Sequence, residues 1–186
     1  MLKTNKAVLI SIRPNWCELI ANGQKTIEVR KTKPKIQTPF KCYIYCTKAK
    51  SHYAVGHIGL SDDELYKLPD GQIKYGRSIK HYKVDNFLNG KVIGEFICNN
   101  IDFITAYNFI FKELSESIQK DTCLSKEQIM QYGGWKKGMF RWECKQLYGW
   151  HISELVIYDK PKSLSDFGLT RPPQSWCYIK ERESNA

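Results

Sequence analysis

The chain has 186 residues, 42% of them hydrophobic and 26% charged, with a formal net charge of +10. That balance is globular rather than disordered, and the length suits one domain that buries about two thirds of its unfolded surface without disulfide or metal staples. No apolar run approaches the ~18 residues of a membrane helix, so membrane-spanning functions are excluded by this reading.

Ala7 to Ile12 (AVLISI) is a short apolar run ending at Arg13-Pro14. It is too short for a signal peptide and reads as a buried first strand. Pro14 suits the first turn of a helix, and Trp16, Leu19 and Ile20 give that helix one apolar face at i, i+3, i+4. Asn22-Gly23 stops it. Thr26 to Lys31 then alternates as a strand, with Ile27 and Val29 on one side and Thr26, Glu28 and Arg30 on the other. Two prolines make 33–39 a loop, and Phe40 to Thr47 is a third strand rich in aromatic and β-branched residues. Ala54 to Leu60 adds a candidate short strand.

Residues 61–90 are polar and turn-rich, with a short helix or turn at Val84 to Leu88. Lys91 to Ile104 reads as one strand, bent near Asn99-Asn100. Residues 107–120 are a candidate helix preceding a helical stretch at Asp121 to Tyr132, where Ser125 and Gln128 have capping-box spacing. Gly149 to Lys160 contains the last long strand, PKSLSDFG is a turn and short helix, and SWCYIKE closes the chain as a strand.

Charge is unevenly placed. Residues 1–50 hold 11 Lys/Arg and 2 Asp/Glu, and the rest hold 18 and 17. A single-sign field in one segment attracts polyanions such as nucleic acid, although a solubility surface gives the same count. The seven cysteines are irregularly spaced and odd in number, which suits reduced core thiols and a cytoplasmic protein. Cys42, Cys46, His52 and His57 do not make a zinc spacing, so no metal and no cofactor are expected. Cys17 has no histidine recognisably placed as its base, which argues against a cysteine nucleophile.

GQKTIEVRK (Gly23 to Lys31) stands out chemically. Lys25 at the turn could act as base or nucleophile if desolvated, or touch phosphate as a point charge. Glu28 and Arg30 share a strand face, so Glu28 could orient Arg30 as a fork for phosphate, accept from a base amino group, or work as an acid/base. A surface ion pair would have the same spacing. Ser11 and Arg13 lead into a helix N-terminus suited to an anion. Trp16, Trp150 and Trp176 could stack a base or simply pack in the core, and Gln174 and Ser175 could read base edges or only shape their turn. The run from Trp135 through Lys136, Lys137, Phe140 and Arg141 to Trp142 interleaves aromatic and basic groups. It suits single-stranded nucleic acid or a helix packing its aromatics inward.

These features together resemble the ASCH family, a branch of the PUA-like barrels. The motif GxKxxExR is met at Gly23, Lys25, Glu28 and Arg30, after the strand and helix of SIRPNWCELIAN. The ending WHISELVIYDKPKSLSDF with RPPQSWCYI looks like that of phage-type and bacterial members. The resemblance covers residues 1–60 and 91–180. It implies an α+β fold: a PUA-like small mixed β-barrel of five to six strands with flanking short helices. One domain over 1–186 would carry helical insertions at about 61–90 and 107–140.

Functionally it implies an electropositive cleft that binds RNA or a modified nucleotide. The lining would be Ser11, Arg13, Trp16, Lys25, Glu28, Arg30, Gln174, Ser175 and Trp176. One bacterial branch hydrolyses N4-acetylcytidine through a lysine, a threonine and a glutamate. Its lysine matches Lys25, but Glu28 stands where that branch has threonine. An amidohydrolase or ribonuclease with Lys25 and Glu28 catalytic is therefore the alternative reading, and an interaction domain of a phage or mobile element, without ligand, the third.

Overall fold

A computed structural model describes residues 6–48, 89–106, 114–136, 139–140 and 144–180. The short strand expected at 54–60 and the turn or helix at 84–88 lie outside the described residues, as do His52, His57, Lys137, Arg141 and Trp142.

The described strands form two sheets. Five build the first, in order β7 (Ser153–Lys162), β4 (Val92–Cys98), β3 (Phe40–Cys46), β1 (Lys6–Ile12) and β8 (Trp176–Lys180). Three build the second, in order β2 (Ile27–Arg30), β6 (Leu147–His151) and β5 (Ile101–Ile104). β1 lies inside the first sheet, parallel to β3 and antiparallel to β8. Its residues 7–12 are buried on both faces, which explains the continuous apolar run. A parallel neighbour requires a long crossover. α1 (Pro14–Ala21), β2 and the 31–39 loop supply it.

The α+β expectation holds, with two corrections. The single strands expected at 91–104 and 149–160 are each two strands that change sheets, and so the strand number rises to eight among the described residues. Both breaks occur at one level. Ile97 pairs with Ser153 in the first sheet, Ile101 pairs with Trp150 in the second, and His151 N donates to Asn100 O at 2.9–3.0 Å typical length, here 3.0 Å. The antiparallel ribbon thus turns a corner as a unit. The second correction is that the sheets do not close into a barrel: β7 and β8 end one sheet, β2 and β5 the other.

Three apolar clusters result. One lies between the first sheet and α1, and contains Ile10, Cys17, Ile20, Ile44, Phe96 and Trp150. The buried stripe of α1 is Pro14, Cys17 and Ile20; of the expected Trp16, Leu19 and Ile20, Ile20 is buried and Trp16 half-buried against the same cluster. A second lies beneath β2, where Val29, Ile104 and Leu147 meet Ile118 and Ile129. Those two come from α2 (Leu114–Thr122) and α3 (Lys126–Gly133), which stand where helices are expected at 107–120 and 121–132, with the boundary a few residues later. Cys123, at φ 53°, separates them. Ser125 starts α3 with the expected capping box: Gln128 N donates to Ser125 Oγ at 3.2 Å, and Ser125 N to Gln128 Oε1 at 2.8 Å. Trp135 packs inward, 4% exposed, its Nε1 donating to Lys145 O at 2.7 Å. The third cluster covers the other face of the first sheet with Tyr43, Tyr45, Phe167 and Ile179.

Candidate functional site

A cavity of about 850 Å³ opens between β2, the start of α1, α3 and the 172–175 loop. Its floor is the polar side of β2. All four β2 residues are buried, at 5–8% exposure. Glu28 and Arg30 are therefore not a solvated face, and the surface-pair reading does not hold.

Lys25 reaches this floor because the chain leaves α1 through Gly23, at φ 71°, and Lys25 N caps back onto Leu19 O at 3.0 Å. Its side chain is 2% exposed and passes Trp16, with Nζ 5.3 Å from the ring centroid. Nζ donates to Ile27 O at 2.9 Å and Thr122 O at 2.7 Å, and pairs with Glu28 Oε2 at 3.3 Å. The ammonium thus has two carbonyl acceptors and one carboxylate counter-charge.

Glu28 bridges two cations, since its Oε1 pairs with Arg30 Nη2 at 2.9 Å. Arg30 Nη2 also donates to Ser11 O at 2.6 Å, while Nη1 lies 3.4 Å from Ser175 Oγ, a weak contact. Arg30 Nε is buried without a partner among the described residues. An unpaired buried donor costs about 1–3 kcal/mol.

Ser11 joins the walls. Its Oγ donates to Pro173 O at 2.7 Å, and its N to Ser175 O at 2.9 Å. The end of β1 and the 172–175 loop are thereby fixed relative to Arg30. Arg13 is exposed at the cavity mouth, in extended conformation before Pro14.

Of the nine residues expected from the sequence, eight line the cavity: Ser11, Arg13, Trp16, Lys25, Glu28, Arg30, Gln174 and Ser175. Trp176 stands behind them. It stacks at a tilt on the fully buried Trp150, centroids 5.9 Å apart, and its Nε1 donates to Thr32 Oγ1 at 3.0 Å.

Sequence reasoning missed the opposite wall, formed by Gln128, Gln131 and Tyr132 of α3. A signal existed: these three fall at i, i+3, i+4 on one helix face, uncharged, with hydrogen-bonding tips. Lys31 and Thr47 were also missed. Lys31 Nζ sits 5.0 Å from the Tyr132 ring centroid. Burial pushes the Tyr132 phenol up, with Arg30 opposing and Glu28 adding to the rise. The lining carries four cations, Arg13, Lys25, Arg30 and Lys31, against the single carboxylate of Glu28.

All seven cysteines are free. Burial pushes the Cys17 thiol well up, which disfavours the thiolate a nucleophile needs. Among the described residues no three His, Cys, Asp or Glu side chains gather as metal ligands, and no helix is long and apolar enough to cross a membrane.

No protein-family model matches the sequence, and no curated protein matches it significantly. Solved structures do resemble the chain. It is similar to an ASCH protein from Zymomonas mobilis, at 16% identity and TM-score 0.58, over 96% of this chain and 90% of that one. It is also similar to two point variants of that protein. The Tyr-to-Phe variant gives 15% identity and TM-score 0.57 over 94% and 91% of the two chains. The Ser-to-Ala variant gives 15% and 0.58 over 95% and 90%. The chain therefore has an ASCH-like, PUA-like α+β fold, a conclusion about architecture.

Proposed function

We propose that the chain binds RNA or a modified nucleotide in the cavity floored by Lys25, Glu28 and Arg30. The observation that carries this reading is a buried cation–carboxylate–cation row at the floor of a cavity whose lining holds four cations and one carboxylate. Burying such a row is costly. It is best repaid where a fixed positive floor has an anionic or strongly accepting ligand to meet. Trp16, half-buried in the cavity lining, would offer its ring to a base, while Gln174, Ser175 and the glutamines of α3 would read edges. Under this reading the chain acts as one cytoplasmic domain, where its thiols stay reduced.

The hydrolase alternative would place Lys25 or Glu28 on the reacting atoms. In this arrangement Lys25 Nζ is held by two backbone carbonyls and an ion pair, and both Glu28 oxygens face cations. They act as a preorganised charge rather than as a free nucleophile and base, and so binding is the better-supported activity. Incubation with N4-acetylcytidine and with labelled RNA tests this. Binding without product, weakening steeply as salt rises, is expected. Turnover abolished by Lys25→Ala would overturn the binding-only reading in favour of the enzyme, and neither binding nor turnover would leave an interaction domain.

A further inference from the structure

The face that floors the cavity does not stop at Arg30. Cross-strand register places Arg30 opposite Tyr148, and Tyr148 opposite Phe103. Side chains in one such row point to the same side of a sheet. The row therefore runs from the buried guanidinium outward over Tyr148 to Phe103, roughly 10 Å across two inter-strand spacings.

Phe103 is 52% exposed and Tyr148 half-buried, their ring centroids 5.8 Å apart at an interplanar angle of 60°. Lys33, three residues beyond Arg30, folds back over the pair. Its Nζ lies 4.8 Å from the Phe103 centroid and 5.9 Å from that of Tyr148. Lys31 and Lys35 are exposed on the same segment. The nearest exposed acid in β5, Asp102, is on the opposite face and engaged by His151 at 2.7 Å and Asn100 at 2.8 Å.

We propose that Phe103 and Tyr148, with Lys33 above them, form a stacking platform for a base flanking the nucleotide held in the cavity, making single-stranded nucleic acid the ligand. The proposal rests on the cavity reading given above and extends it. Aromatic rings interleaved with lysines accept any base through its π-face while the ammonium groups track phosphate. A duplex, with its bases stacked inside, would not offer those faces. The local excess of lysine favours a polyanion over a protein partner.

The test uses fluorescence anisotropy of the full chain with three probes: labelled hexauridylate, an abasic hexamer with the same phosphates, and uridine 5′-monophosphate as competitor. Phe103 is at the surface, so Phe103→Ala should fold, which circular dichroism checks, and Phe103→Trp provides a second variant that keeps a stacking ring. Phe103→Ala should weaken hexauridylate about 5- to 100-fold and leave the abasic hexamer and the monophosphate unchanged. Phe103→Trp should retain hexauridylate binding.

Hexauridylate binding indifferent to Phe103→Ala, with the monophosphate still competing, would overturn the platform and leave the cavity reading standing. Phe103-dependent hexamer binding with no competition by the monophosphate would uphold the platform and remove the cavity. Equal losses on the abasic hexamer would refute stacking. Phe103-dependent capture of a labelled oligoglutamate in place of hexauridylate would refute it in favour of an acidic protein partner.

Discussion

Replacing Glu28 by Gln keeps its volume and removes its charge. In the native chain this carboxylate lies 2.9 Å from Arg30 Nη2 and 3.3 Å from Lys25 Nζ, all three side chains being no more than 9% exposed. Gln can still accept from Arg30, but its amide N–H₂ or its neutral oxygen leaves two buried cations without a counter-charge. Breaking a buried ion pair by removing one partner costs about 3–5 kcal/mol. Gln keeps the volume and a polar oxygen beside Arg30, which puts Glu28→Gln near the lower end, about 3 kcal/mol. For a chain of this size that is a fall in Tm of about 6–12 °C. Urea titration followed by tryptophan fluorescence and calorimetry would measure it. The same substitution leaves the cavity more positive. Inorganic phosphate or a nucleoside 5′-monophosphate should therefore raise Tm more in the variant than in the native chain. A loss below about 1 kcal/mol, the range of a solvated pair, would refute the reasoning that these charges are buried and interdependent.

Three further outcomes follow from the packing. Ser125→Ala removes the α3 cap and should cost about 1 kcal/mol in urea denaturation, loosening the wall that holds Gln128 and Tyr132. Gly149→Ala would place a methyl 2.9 Å from Ile27 Cγ2 and 3.3 Å from Ile104 Cδ1, and overpacking beneath β2 should cost about 1–3 kcal/mol by the same measurement. Burial raises the Cys98 thiol from 9.0 to about 12, and Cys17 and Cys42 move in the same direction. Between those pH values the unfolded chain loses a proton that the folded chain keeps. Stability is full below about pH 9 and falls as pH rises toward 12, by up to about 1.4 kcal/mol per pH unit for each thiol. Denaturation at pH 8 and pH 10.5 should show the decline, and Cys98→Ala should make it shallower.

The local rules carried much of this far. The Ala7–Ile12 run, Pro14 at the helix start, Gly23 at its end and the Ser125–Gln128 box are each fixed by neighbours in sequence, and each was legible. The convergence of Lys25, Glu28 and Arg30 was legible as a motif, but their burial was not, because α3 and the 172–175 loop that cover them come from more than 90 residues away. The two corners were hidden for another reason. A bend was legible at Asn99-Asn100 and none at Ile152, and only pairing partners reveal that the ribbon changes sheets at both. The sequence leaves Trp16 between core and cleft because helical spacing fixes relative, not absolute, orientation; it lines the cavity and also packs against the core cluster. Trp176 was drawn to the site by its neighbours Gln174 and Ser175, yet strand alternation turns it toward Trp150.

The central claim is that the Lys25–Glu28–Arg30 floor meets a bound anionic nucleotide. Its most direct test is ¹⁵N NMR of the arginine Nε–H resonances during titration with a nucleoside 5′-monophosphate. The account predicts a saturable shift of the Arg30 Nε–H, moving with the Trp16 and Ser175 signals at one common Kd. An Arg30 resonance that stays put while the nucleotide saturates elsewhere on the chain would contradict it.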